Sequence, residues 1–157
     1  MNTYLKIFLG ILLIIYILSY YNYPKNTKII QTNMNNFHFD MLNARLPIII
    51  DSGVDLAFIK KNWFNYNYAK EGVLEKSEQW HDNKYKYSIL QPQESGEILI
   101  YPASKKMIQG IPNPDESLLA IKISKGQLVI LPFHWKFMLN VDVVTMGVHD
   151  LLTFFLI

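Results

Sequence analysis

The side chains that could do chemistry in this sequence are four histidines and thirteen acidic residues, with no cysteine among them. The triplet His81-Asp82-Asn83 places an imidazole, a carboxylate and a carboxamide side by side, and His134 and His149 follow later in the chain. Imidazole and carboxylate ligands suit a catalytic metal such as iron. Without cysteine, the sequence excludes disulfides, thiolate metal sites and a cysteine nucleophile.

Other reaction classes find little support in the sequence. There is no Gly-X-Ser-X-Gly motif for a serine nucleophile, and the seven glycines are scattered singly rather than grouped in a phosphate-binding loop. The net charge of +2 is small and evenly spread. Nucleic-acid surfaces need clustered Lys and Arg, so we expect no nucleic-acid partner.

The N-terminus carries an uncharged apolar run from Ile7 to Tyr21. Residues 4–23 have about the length that a bilayer requires, with Lys6 close enough to the end to snorkel and tyrosines at both rims. A cleaved signal peptide and a buried core helix are the alternatives. Cleavage needs small residues after the apolar run, whereas Leu18 to Tyr23 are mostly bulky, so we expect a retained anchor with the lipid bilayer as partner through residues 4–23.

The orientation of this anchor is weakly encoded. Lys6 lies on one side, and Lys25 and Lys28 lie on the other, so the positive-inside rule barely discriminates. The chain has neither an Asn-X-Ser/Thr sequon nor a cysteine. Both absences favour a body that faces a reducing compartment. We therefore expect a single-pass membrane protein whose body lies on the cytosolic side.

The pattern along the chain predicts an anchor at 1–23, a linker at 24–45 and a β domain at 46–157. The run Ile48 to Ile50 predicts a buried strand, and an amphipathic helix is expected over 54–64. Alternating or continuous apolar segments predict further strands around 85–89, 97–101, 119–123, 127–131, 135–139, 141–144 and 151–157. Many short strands between turn residues indicate a sandwich or small barrel.

One segment carries a family resemblance. Gly126, Pro132 and Trp135, in GQLVILPFHWKF, resemble the second conserved motif of the cupin superfamily in its JmjC-like hydroxylase form. More loosely, RLPIII from Arg45 and GEILIYP from Gly96 resemble the family's lead-in strand and its glycine-to-tyrosine-proline strand. The resemblance implies a mainly β, cupin-like double-stranded β-helix, a jelly-roll-type barrel, behind a single N-terminal transmembrane helix.

The same resemblance implies that the metal ligands are missing. Members of the family bind iron through a His-X-Asp pair and a distal histidine, and here His81-Asp82-Asn83 ends in a carboxamide while Phe137 stands at the distal position. We therefore predict no catalytic residue, no metal and no cofactor. The expected pocket-lining residues are His81, Asn83, Tyr101, Trp135 and Phe137.

Three functional hypotheses follow. The first is a non-catalytic, membrane-anchored cupin-like module that binds a ligand or protein partner or serves a structural role. The second is an Fe(II)/2-oxoglutarate-type oxygenase with unusual ligands, namely His81, Asp82 and either His134 or His149. The third is a small viral or envelope membrane component. The simpler interpretation of His134 and His149 places both in turns.

Overall fold

The chain is mainly β, with strands making up 39% of the structure and helices 27%. The computed structural model describes residues 3–24, 27–51, 53–63, 68–113 and 118–156. Lys25, Phe64 and Ile157, which fall in segments interpreted from the sequence, lie outside these residues. The prediction of a β-rich chain behind one N-terminal apolar helix is confirmed.

Helix α1 spans Thr3–Tyr20, and most of its side chains are exposed. Its 18 residues have a mean hydropathy of 1.9. At about 1.5 Å per residue they extend roughly 27 Å, close to the hydrocarbon thickness of a bilayer. Among the described residues it is the one helix long and apolar enough to cross a membrane, a property that membrane anchors and signal sequences share.

In the described part of the chain, ten strands form two sheets. The strands are β1 (Ile30–Asn33), β2 (Ile48–Asp51), β3 (Ala69–Leu74), β4 (Ser77–Asp82), β5 (Tyr87–Pro92), β6 (Gly96–Tyr101), β7 (Leu119–Ile123), β8 (Gln127–Pro132), β9 (Lys136–Leu139) and β10 (Val143–Val148). The larger sheet has the order β1-β2-β8-β5-β10-β3 and the smaller has the order β4-β9-β6-β7. All neighbouring strands pair antiparallel except β1 and β2, which are parallel.

The central strands of the larger sheet are buried on both faces. Ile49 of β2 belongs to a core cluster shared with strands of the smaller sheet, including Ile98 and Phe137. Its neighbours Ile48 and Ile50 belong to a second cluster on the other face. Because successive side chains of a strand point to opposite faces, a strand buried on both sides needs an unbroken apolar run. This explains the β-branched sequence from which β2 was predicted.

Helix α2 (Leu56–Trp63) and a 3-10 helix (Phe39–Ala44) cover the second core cluster. Leu56 and Ile59 are the buried residues of α2. Asp55 caps the helix, since its Oδ1 accepts a hydrogen bond from the Phe58 N–H at 2.8 Å. The amphipathic helix predicted over 54–64 is therefore present; it begins two residues later, at Leu56, and is described as far as Trp63.

The C-terminal segment differs from expectation. We predicted a strand over 151–157, but residues Leu151–Leu156 form helix α3. A short apolar run does not distinguish strand from helix. The helix begins at a reciprocal cap in which Asp150 Oδ1 accepts from the Thr153 N–H at 3.1 Å and Thr153 Oγ1 accepts from the Asp150 N–H at 2.9 Å.

Three strands were not predicted. The segment 24–45, interpreted as a linker, contributes β1 to the larger sheet, where it pairs with β2. Strands β3 and β4 are the edges of their sheets and carry the polar sequences AKEGVL and SEQWHD. Edge strands are often polar because charged side chains there discourage pairing with other chains. Their alternation was too weak to detect.

Candidate functional site

A cavity of about 190 Å³, here called the barrel pocket, lies between strands of both sheets. Its lining residues are Leu74, His81, Asp82, Asn83, Tyr85, Ser88, Leu90, Phe137, Thr145 and Gly147. Gly147 is required there, because any Cβ at that position would collide with the Tyr85 ring. Three of the five predicted pocket residues, His81, Asn83 and Phe137, therefore lie around one cavity.

His81 and Phe137 face each other directly. They are register partners between β4 and β9, and their rings stack with centroids 5.3 Å apart and planes inclined by 27°. Phe137 is 4% exposed. The His81 Nε2 atom is buried and has no hydrogen-bond partner among the described residues. A phenyl ring, which offers no ligand atom, thus lies directly beside the His81 imidazole.

The Asn83 side chain has all its hydrogen-bonding groups occupied, three of its four bonds being to backbone groups. Its side-chain Nδ2 donates to the carbonyl oxygens of Leu131 at 2.7 Å and Pro132 at 2.8 Å. Its Oδ1 accepts from the Tyr85 N–H at 3.0 Å and from the Ser88 hydroxyl at 2.6 Å. These four bonds satisfy both amide donors and both lone pairs of the side chain. Asn83 therefore ties the turn after β4 to the end of β8 and has no free oxygen for a metal.

His134 and His149 do not line the barrel pocket. His134 lies in the turn between β8 and β9 with a positive φ of 62°, and its Nδ1 is 3.4 Å from Asp82 Oδ1. His149 lies between β10 and α3, where its ring meets the edge of Tyr85, and burial lowers its pKa. Over the described parts of the chain, no group of three or more His, Asp or Glu side chains is arranged to hold a metal ion.

Tyr101 and Trp135 do not line the barrel pocket. Tyr101 is fully buried, and its hydroxyl donates to the Lys106 carbonyl at 3.3 Å. Trp135 is 2% exposed, and its Nε1 donates to the Arg45 carbonyl at 3.1 Å. Trp135 instead borders a second cavity of about 120 Å³, which we call the junction cavity. That cavity is lined by Tyr16, Ser19, Tyr20, Tyr23, Arg45, Lys86, Tyr87, Pro132, Phe133 and Trp135.

The junction cavity forms where the end of α1 packs on the β domain. The Arg45 guanidinium donates to the Ser19 carbonyl and, at 3.4 Å, to the Asn22 carbonyl. Arg45 therefore caps the C-terminus of the helix. Tyr20 is 5% exposed, and its ring meets Phe133 edge-on at 5.3 Å. The Tyr20 hydroxyl is buried, and no described residue forms a hydrogen bond with it. The last turn of α1 is therefore part of the domain's packing.

A second contact joins α1 to the start of α3. The Tyr16 hydroxyl donates to Asp150 Oδ2 at 2.7 Å, and the same oxygen lies 3.6 Å from Lys86 Nζ. Sequence reasoning missed this cluster together with Tyr20 and Arg45. The tyrosines were interpreted as an interfacial belt, and the charged residues that meet them come from distant parts of the chain.

Comparison of this chain with known protein families, with curated proteins and with solved structures gives no match.

Proposed function

We propose that this chain is a single-pass membrane protein whose β domain is a cupin-like jelly roll that serves as a non-catalytic binding or structural module. The strand order supports the jelly roll. Taken as eight successive strands, β3 to β10 pair first with last, second with seventh, third with sixth and fourth with fifth. This nesting across two sheets is the arrangement of two Greek keys in a jelly roll. Strands β1 and β2 extend the larger sheet.

The observation that carries the non-catalytic assignment is the stacking of His81 on Phe137. If the domain descends from an iron hydroxylase, Phe137 stands at the distal histidine and offers no ligand atom. Asn83, at the carboxylate position, has its oxygen engaged by Tyr85 and Ser88. A single neutral imidazole does not hold Fe(II), which such enzymes bind with two imidazoles and a carboxylate.

The size of the barrel pocket also supports the non-catalytic assignment. Its volume of about 190 Å³ is below the roughly 300–1,000 Å³ of ordinary small-molecule sites. The lining combines the unpartnered His81 Nε2 with aromatic and hydroxyl-bearing side chains. Such a cavity suits a group of a few atoms that hydrogen-bonds to His81, or a protein partner's side chain, better than a metal with an organic cosubstrate.

Membrane attachment is supported by the exposed apolar surface near α1. Helix α3 exposes Leu151 at 62%, Phe154 at 58% and Phe155 at 77%. Its capping residue, Asp150, accepts a hydrogen bond from Tyr16, which lies about 6 Å along the helix axis from the end of α1. Interfacial helices insert about 5–10 Å into the headgroup boundary. In this arrangement α1 is a retained anchor and α3 rests in the interface, with the body on the cytosolic side.

A thermal-shift experiment tests the non-catalytic assignment. Full-length protein in detergent is melted with Fe(II) or Mn(II), alone and together with 2-oxoglutarate. A non-catalytic module gives no saturable rise in Tm. A saturable rise that needs both metal and 2-oxoglutarate, and that is lost in His81→Phe, would instead support the oxygenase hypothesis.

A further inference from the structure

The junction cavity contains a buried hydroxyl that lacks a partner. Tyr20 is 5% exposed and lines the cavity, and its hydroxyl makes no hydrogen bond within the described structure. A buried polar group left unpaired is costly, so such groups nearly always meet a partner. The cavity volume of about 120 Å³ is far above the 10–15 Å³ that one water needs. The cavity is therefore large enough to hold a bound group that forms a hydrogen bond with this hydroxyl.

Two cations line the same cavity. The Arg45 guanidinium and the Lys86 side chain both border it. Burial, and then the positive charge of Arg45, lower the pKa of the Lys86 ammonium. Within the described residues, these two cations form one ion pair, between Lys86 and Asp150. The residues that line the cavity therefore include two cations and no acidic side chain.

The position of Arg45 is fixed independently of any ligand. Its side chain lies over the Tyr20 ring at 5.7 Å and binds the carbonyl oxygens at the end of α1. The bonds to Ser19 and Asn22 use Nη1, and a guanidinium carries five N–H donors in a rigid fork. An anion in the cavity would meet donors that are already in place, without an ordering cost for the arginine.

We propose that the junction cavity binds a phosphate group, which accepts a hydrogen bond from the Tyr20 hydroxyl and is neutralised by Arg45 and Lys86. The source is the headgroup of an anionic membrane lipid or free phosphate. The location favours the lipid, because the cavity lies at the end of the apolar helix α1, at the level where headgroups lie if α1 spans the bilayer. The lipid source rests on the proposed membrane attachment, whereas the phosphate chemistry does not.

The test has two arms, both with full-length protein in a neutral detergent. In the first, the protein is incubated with equimolar phosphatidylcholine and phosphatidylglycerol, and the retained lipid is measured by native mass spectrometry. In the second, inorganic phosphate is titrated and Tm is recorded. The variants are Tyr20→Phe, which removes the hydroxyl alone, and Lys86→Met, which keeps the aliphatic stem. Lys84→Met is the control, since Lys84 is exposed and does not line the cavity.

We expect the wild-type protein to retain phosphatidylglycerol over phosphatidylcholine, with affinity lowered about threefold in Tyr20→Phe and about tenfold in Lys86→Met. Lys84→Met should behave as wild type. A saturable effect of inorganic phosphate alone, lost in the same two variants, would support the site and identify free phosphate as its ligand. No saturable effect in either arm, or equal effects in all three variants, would overturn the proposal. If membrane attachment fails, the inorganic phosphate titration still tests the phosphate site. The phosphate site and the membrane attachment can therefore be refuted separately.

Discussion

His81 of β4 and Phe137 of β9 are cross-strand partners whose rings stack 5.3 Å apart on the wall of the barrel pocket. The stack has a direct consequence for stability, because Phe137 also belongs to the core cluster between the two sheets. Phe137 therefore contributes apolar contact to the interior as well as to the stack.

Phe137→Ala should lower the free energy of unfolding by about 3–5 kcal/mol, the usual cost of truncating a buried aromatic side chain. Denaturant unfolding of the detergent-solubilised protein measures this. Met138→Ala is the matched control, since Met138 is the next residue on β9 and is only partly buried. Equal losses in the two variants would show that the Phe137 ring contributes no special packing.

Asn83→Asp should destabilise the protein by about 2–3 kcal/mol, because a carboxylate would replace two N–H donors that face the carbonyl oxygens of Leu131 and Pro132. Adding Phe137→His should not rescue the loss through metal binding. The control is Asn140→Asp, which keeps the acceptor oxygen that the Glu97 N–H uses on the surface. Recovery of stability by Fe(II) in the double variant would contradict this prediction.

The strands that the sequence predicted are those whose burial leaves a periodic signal. Ile48 to Ile50 and Leu128 to Leu131 are apolar without interruption because the central strands of the larger sheet are covered on both faces. Edge strands β3 and β4 carry no such signal, and the Asp150 cap that makes α3 a helix depends on local hydrogen bonds rather than periodicity.

The barrel pocket could be predicted in part from the sequence, whereas the junction cavity could not. His81, Asn83 and Phe137 were grouped through a family resemblance, and they meet at one cavity. Their hydrogen bonds could not be foreseen, since the partners of Asn83 come from the far end of β8. The junction cavity joins α1 to residues 45 and 86 through tertiary packing alone, and no spacing rule connects Tyr20 to Lys86.

Full-length protein should stay in the membrane fraction through high salt and alkaline carbonate, as a spanning helix requires. Deleting residues 1–15 removes the exposed part of α1 but keeps Tyr16 and Tyr20, which pack on the domain. This truncated protein should become extractable by carbonate. Deleting all of α1 is a poorer test, because it also uncovers Phe133. Carbonate extraction of the intact chain would contradict the anchor.

Phe155 should lie in the membrane interface. Since the chain has no cysteine, Phe155→Cys can be labelled at one position with an environment-sensitive fluorophore. Its emission should shift to the blue in vesicles. Ser95→Cys is the control, because Ser95 lies in the turn after β5, at the other end of that strand from the junction residue Tyr87. Emission like that of the control label would place α3 in water.

We propose that the β domain has a jelly-roll frame without a working metal site, and metal content tests this proposal most directly. Full-length protein is expressed with added iron or manganese, loaded with Fe(II) without oxygen, desalted and analysed by inductively coupled plasma mass spectrometry, with His81→Phe as reference. We predict well below a tenth of an equivalent of any transition metal, equal in both proteins. About one equivalent in the wild-type protein, lost in His81→Phe, would contradict the account.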